Sequence, residues 1–156
     1  MEDKVFVVKS ADIKEHGEQK HPLYGYKRKC VIPDSARAQC VVSVYEIPPG
    51  KSAYPYHCHM NNTEVFYILS ASGVLRCKSG EKRISAGDFA VCLQGENGAH
   101  KITNDSKTEP LVYIDFDTNN APDVIHYPDS DKTGVVFDGK NTLFFDSDAA
   151  DYYAVE

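Results

Sequence analysis

From Gln39 onward the chain alternates apolar and polar positions in short runs. Gln39-Cys-Val-Val-Ser-Val-Tyr-Glu-Ile47 is rich in β-branched and aromatic residues with partial period-two alternation, which predicts a strand. Pro48-Pro49-Gly50 ends it. Glu64 to Leu69 predicts a second strand, Ser70 to Gly73 a turn, and Gly73 to Lys78 a third strand. Ser79-Gly80-Glu81 is a short glycine-bearing loop between strand patterns and favours an antiparallel hairpin into Lys82–Ser85. Ala86-Gly87-Asp88 turns the chain into Phe89–Leu93, and Gln94–Gly98 is a polar loop. His100–Thr103 and Leu111–Asp117 are further strands, the latter the clearest after the loop. Short strands with turns at close spacing predict an all-β sandwich or barrel, and no amphipathic helical pattern of ordinary length occurs.

The flanks are less regular. Val5–Val8 reads as a short edge strand, Ala11–Gly17 as one helical turn, and His21–Tyr26 as loop broken by proline and glycine. This arm is expected to wrap the rest rather than fold alone. Beyond Asp117, Val124–Tyr127, Gly134–Phe137 and Thr142–Phe145 are short strand candidates. The acidic tail from Asp146 carries Tyr152, Tyr153 and Val155, which would dock it on the domain. One domain is expected over 1–156, with an N-terminal arm at 1–38, a core at 39–117 and a C-terminal extension at 118–156.

Composition narrows the class. With 42% hydrophobic and 26% charged residues the chain is an ordinary globular protein, and no apolar run reaches the length of a membrane span. A net charge of −6 argues against nucleic-acid binding, which needs a basic face. The lone basic triplet Lys27-Arg28-Lys29 reads as a solvated face. Five cysteines without a CxxC pair suggest reduced thiols rather than a disulfide scaffold or a cysteine zinc site. The N-terminal residues lack an apolar signal region, so cytoplasmic residence is the expectation, and the two Asn-x-Ser/Thr sequences are read as chance.

The chemistry gathers between Gly50 and Gly73. His57 and His59 alternate on a strand pattern and so face one way, roughly 6–7 Å apart. A metal bound to ring nitrogens at about 2.0–2.1 Å fits between such a pair. Glu64 follows across a Met-Asn-Asn-Thr turn and can return as an oxygen ligand. Taken alone, His-x-His is equally the mark of two surface or core histidines. The order is the rarer feature: His-x-His, a carboxylate after a short turn, a glycine-punctuated hairpin, then His100. Phe66 and Ile68 share the face of Glu64 and would line a pocket or pack a core, while Cys58 points away. Tyr54 and Tyr56 would rim the mouth or simply pack. Asp115 and Asp117 read as surface acids, with orientation of a histidine the lesser reading. His16, His21 and His126 receive no role.

These residues resemble the two motifs of the cupin superfamily. Gly50, His57, His59 and Glu64 match the first, with one extra residue after the glycine and Ala71 where a closing glycine is expected. Gly87, Gly95, His100 and Asn104 match the second, with Leu93 in place of a proline and a gap before His100 two residues longer. The departures fall on turns, not ligands, and the short stretch from Gly73 to Gly87 resembles compact single-domain microbial cupins. The resemblance implies a cupin-type jelly-roll β-barrel of six to eight strands with a metal in one mouth. It implies His57, His59, Glu64 and His100 as ligands of one divalent transition metal ion, whether iron, manganese, nickel, zinc, cobalt or copper. Such a set leaves one or two positions open for water, oxygen or a chelating substrate. The implied function is a metal-dependent enzyme of dioxygenase or isomerase type acting on a small polar molecule. A non-catalytic small-molecule binding or sensing protein is the alternative, and a homodimer is expected.

Overall fold

The computed structural model describes residues 5–33 and 36–154. Thirteen strands account for its regular structure among these residues: β1 (Glu15–Glu18), β2 (Tyr26–Cys30), β3 (Cys40–Ile47), β4 (Cys58–His59), β5 (Glu64–Ser70), β6 (Ser72–Cys77), β7 (Gly80–Ser85), β8 (Phe89–Cys92), β9 (His100–Thr103), β10 (Leu111–Thr118), β11 (Asp123–Tyr127), β12 (Lys132–Phe137) and β13 (Lys140–Phe145). Among the described residues helical structure is limited to three-residue 3-10 turns, and no helix there is long and apolar enough to cross a membrane. The protein is all-β. The strand ladders make three open sheets, ordered β1-β2-β3-β10-β5-β8, β13-β12-β11-β4 and β7-β6-β9, rather than one closed barrel.

Period-two patterning sets the inner face of the largest sheet. On β5, Glu64, Phe66 and Ile68 are buried; on β10, Leu111, Tyr113 and Asp115; on β3, Ser43, Tyr45 and Ile47. The antiparallel register stacks Ser43, Asp115 and Phe66 in one row and Tyr45, Tyr113 and Ile68 in the next. Tyr45, Ile47, Phe66, Ile68, Leu111 and Tyr113 anchor one apolar cluster. Burying each of Phe66 and Ile68 contributes about 1.5–3 kcal/mol. The row at the start of β5 is the polar exception, with Glu64 opposite Asp117 and Cys92.

Two turns explain departures from the motif pattern. Ala71, at the place of the motif glycine, joins β5 to β6 with φ of 62°, the left-handed region that glycine occupies freely. Gly98 closes the 3-10 turn Glu96–Gly98 so tightly that a Cβ there would run into the Leu93 carbonyl.

The N-terminal segment differs from its expected form. Val5–Val8 is exposed chain outside any strand, and the helical turn expected at Ala11–Gly17 is a 3-10 turn at Ser10–Asp12 followed by β1. The stretch taken as loop ends in β2, which pairs with β3 and so belongs to the main sheet. Backbone pairing won here over a weak apolar pattern. Tyr152 and Tyr153 are exposed, not docked, and Val155 lies outside the described residues.

Candidate metal centre

His57 immediately precedes the two-residue strand β4, which holds Cys58 and His59, so in extended chain the two rings lie on the same side and Cys58 on the other. Cys58 is buried with its thiol toward the His126 carbonyl, as alternation requires. His57 and His100 form an antiparallel bridge, each N–H donating to the other's carbonyl at 3.1 and 2.8 Å. That bridge brings the second motif against the first. Glu64 opens β5 beneath them.

The three Nε2 atoms converge on one carboxylate oxygen. Glu64 Oε2 lies 3.1 Å from His100 Nε2, 3.6 Å from His59 Nε2 and 3.9 Å from His57 Nε2. Ligand atoms of His57, His59 and Glu64 lie within 4.8 Å of one another, a spacing that can hold a metal ion. Each ring is fixed from behind. His57 Nδ1 faces the Pro55 carbonyl at 2.8 Å, His100 Nδ1 the Gly98 carbonyl at 3.0 Å, and His59 Nδ1 the Asp123 carboxylate at 2.6 Å. A carbonyl or an ionised carboxylate only accepts, so each Nδ1 carries the hydrogen and each Nε2 presents a lone pair.

The electrostatics agree with that tautomer. Burial, then the neighbouring His100 and His59, holds His57 down to about 3, and burial holds His100 down to about 4. Both rings are therefore neutral near pH 7. Burial, then Asp117 and Asp123, pushes the Glu64 carboxyl well above the usual range. Without a cation the raised Glu64 carboxyl keeps a proton among the three facing Nε2 atoms, and a cation at their common point would take the place of that proton. Oriented neutral imidazoles with a nearby carboxylate are the donor set a divalent transition metal prefers. The residues present fit such an ion.

Asp123 is the partner that sequence reasoning missed. Its Oδ2 accepts from His59 Nδ1 and Asn62 Nδ2, its Oδ1 from the Asn61 and Val124 N–H groups. Burial raises its pKa, but these hydrogen bonds outweigh burial and keep it below the usual value. It arrives from β11, paired to β4 through Ile125 and His59, and no local motif marks it.

Other expectations divide. Phe66 and Tyr54 line the centre's cavities, whereas Ile68 is core. Tyr56 is not at the mouth; it is buried under the Arg76 guanidinium, 4.0 Å from the ring centre, beside Cys58 and Ala99. Asp115 and Asp117 are not surface acids. Asp115 is buried, and Glu64, Asp115 and Asp117 place carboxylate oxygens within 4.8 Å of one another. Asp115 Oδ1 and Asp117 Oδ1 are buried without a hydrogen-bond partner among the described residues. The basic triplet also splits. Lys27 pairs with Glu46 at 3.0 Å and Lys29 bonds the Ser10 carbonyl, while Arg28 turns inward and donates Nε–H to Ser43 Oγ at 2.9 Å. A cavity of about 180 Å³ reaches the centre between Arg28, Tyr54, Asp115, Asp117 and Tyr127. Tyr127 stacks on His57 with ring centres 5.9 Å apart. His21 Nδ1 accepts two backbone N–H groups, His126 faces Asp146 at 3.6 Å, and His16 sits on the exposed β1.

The comparisons with known proteins agree with this architecture. Residues 43–117 match the family model described as the cupin domain. A crystal structure from Acidithiobacillus ferrooxidans, provisionally named a sugar phosphate isomerase, superposes with a TM-score of 0.77 at 26% identity, covering 90% of each chain. A structure from Silicibacter pomeroyi, named a sugar phosphate isomerase from a cupin superfamily, gives 0.78 at 19% identity over 90% of this chain and 93% of that one, and bears on fold alone. An oxalate-binding protein of Thermotoga maritima is 34% identical over 64 residues, 41% of this chain and 50% of that protein, so the match spans about half its length. The bridge between His57 and His100, the family match across β3 to β10 and the superposition on the Acidithiobacillus structure have one explanation: the chain carries a cupin domain over residues 43–117.

Proposed function

We propose that this protein is a metal-dependent isomerase of a small hydroxy-carbonyl molecule of the sugar class. The observation that carries the reading is the convergence of three back-braced Nε2 atoms on Glu64 Oε2, next to two buried carboxyls with unpartnered oxygens. His57, His59, Glu64 and His100 would hold one divalent transition metal, which supplies Lewis acidity to a substrate oxygen when bound. Asp115 and Asp117 move the proton. Burial, then the charge of Asp117, raises Asp115 well above the usual carboxyl range, so the pair holds a proton that separate surface acids would release. One carboxylate takes the proton from the carbon bearing the hydroxyl and returns it to the neighbouring carbonyl carbon, while the other carboxyl gives its proton to the carbonyl oxygen and takes one from the hydroxyl, so the formula is unchanged. Tyr54 and Phe66 wall the site against water. We read the sheets as a cupin jelly roll around this centre, in one domain, acting as a homodimer in the cytoplasm.

The 26% identity to the provisionally named sugar phosphate isomerase supports this substrate class. A carboxyl pair suited to proton transfer favours isomerisation over activation of oxygen. The test is elemental analysis of protein purified without added metal, then incubation of the metal-loaded protein with aldose and ketose phosphates in D2O. Deuterium appearing at the carbon next to the carbonyl is the expected result. His59→Ala should lose metal and exchange together. Protein that binds no divalent metal, with His59→Ala melting like wild type, would sink the reading. The match to the oxalate-binding protein supports a second reading, binding without turnover. A ligand that raises the melting temperature and is recovered unchanged would favour it.

A further inference from the structure

Arg28 has no task in the chemistry above, yet its placement is costly. The register sets it opposite Tyr45 on β3, in the inner row that continues to Tyr113 and Ile68. Its neighbours Lys27 and Lys29 take the outer face and find partners there. Arg28 is half-buried, with its guanidinium carbon 5.6 Å from the Tyr45 ring centre and Nε–H on Ser43 Oγ. Among the described residues no carboxylate lies within ion-pair distance of its terminal nitrogens. A cation half withdrawn from water with no carboxylate in direct contact is unfavourable, and the Tyr45 face and the more distant Asp115 offset only part of that. The guanidinium lines the same cavity as His57, His59 and Glu64. Arg28 is the cation among the residues lining this cavity, beside the carboxyls of Glu64, Asp115 and Asp117, and its guanidinium can receive an anion there.

We propose that Arg28 binds the anionic end of the substrate, a phosphate or carboxylate, while the other end reaches the metal centre. This rests on the metal-centre reading for the second contact, but not for the first. Ser43 and Tyr45 brace the guanidinium, so its terminal N–H groups are preset as a planar fork for two anion oxygens. Arg28 thereby selects charged substrates over neutral analogues of the same carbon skeleton.

The experiment is isothermal titration of the metal-loaded full chain with ribose 5-phosphate, ribose and oxalate, comparing wild type, Arg28→Gln and Arg28→Lys. Wild type should bind at least one anion more tightly than ribose, and which anion it prefers separates a phosphate end from a carboxylate end. Arg28→Gln should weaken that anion about 10- to 100-fold and leave ribose unchanged. Arg28→Lys should recover part of the loss, because it keeps the charge but not the fork. Metal content and melting temperature are measured on the same samples. Equal anion affinity in wild type and Arg28→Gln overturns the proposal, as does an equal loss for ribose, or a wild type that binds neither anion. Failure of the metal reading is separate: it shows as absent metal, while the anion ratio still judges Arg28.

Discussion

Asp123→Asn tests whether a residue 64 positions from His59 sets the tautomer of a metal ligand. Four donors converge on the Asp123 carboxylate, two on each oxygen. An asparagine has one oxygen and one NH2, so whichever way it turns, two donors face an NH2 and lose their acceptor. At a position 2% exposed, water does not replace them. The loss is about 2–4 kcal/mol, which for a chain of this size lowers Tm by roughly 4–16 °C. If the NH2 faces His59, the ring regains a partner only by moving its hydrogen to Nε2, which blocks the metal. If the oxygen faces His59, the bond to the ring survives without its charge. Either way zinc affinity should fall about 10- to 100-fold, measured by competition of metal-stripped protein with a chromophoric chelator. Asn62→Ala is the comparison. It removes a donor to the same carboxylate and loosens the same loop but leaves the His59 bond, so it should lower Tm with near-normal zinc affinity. Wild-type zinc affinity in Asp123→Asn, or equal zinc loss in both variants, would refute the tautomer reasoning.

Asp115→Asn should stabilise the metal-free protein with a pH-dependent margin. Burial, then Asp117, raises Asp115 above its ordinary 3.8, so the folded state binds more protons than the unfolded one above that pH. Stability from this carboxyl therefore falls as pH rises beyond 3.8, and the advantage of the amide should grow as the pH of the urea melts is raised above that value. A margin independent of pH would reject the raised carboxyl, and retained deuterium exchange would reject its role in proton transfer. Gly98→Ala should cost about 1–3 kcal/mol and release metal, because the new Cβ runs into the Leu93 carbonyl and shifts the carbonyl that holds His100; metal retained at wild-type stoichiometry counts against that. Light scattering at micromolar concentration should give the mass of two chains, and a monomer mass would end the dimer expectation.

The legible part of this protein is what alternation and spacing encode locally. β3, β5, β9 and β10 follow from their β-branched and aromatic runs, and the shared direction of His57 and His59 follows from period two. Alternation shows which residues share a face but not which face is covered, and that gap accounts for the misplaced residues. Asp115 and Asp117 have the same parity as Leu111 and Tyr113, so the apolar members of the strand already indicated that both acids turn inward. Tyr26, Arg28 and Cys30 alternate with Lys27 and Lys29, which separates one inward cation from two outward ones once β2 is paired to β3. Asp123 had no such mark. Its role exists only because β11 lies against β4, a pairing set by tertiary structure. The productive signal in a sheet protein of this kind is thus a charge whose parity matches the apolar residues of its own strand. Burying such a charge is unfavourable unless something binds it, and here Glu64, Asp115 and Arg28 meet that condition at a single cavity.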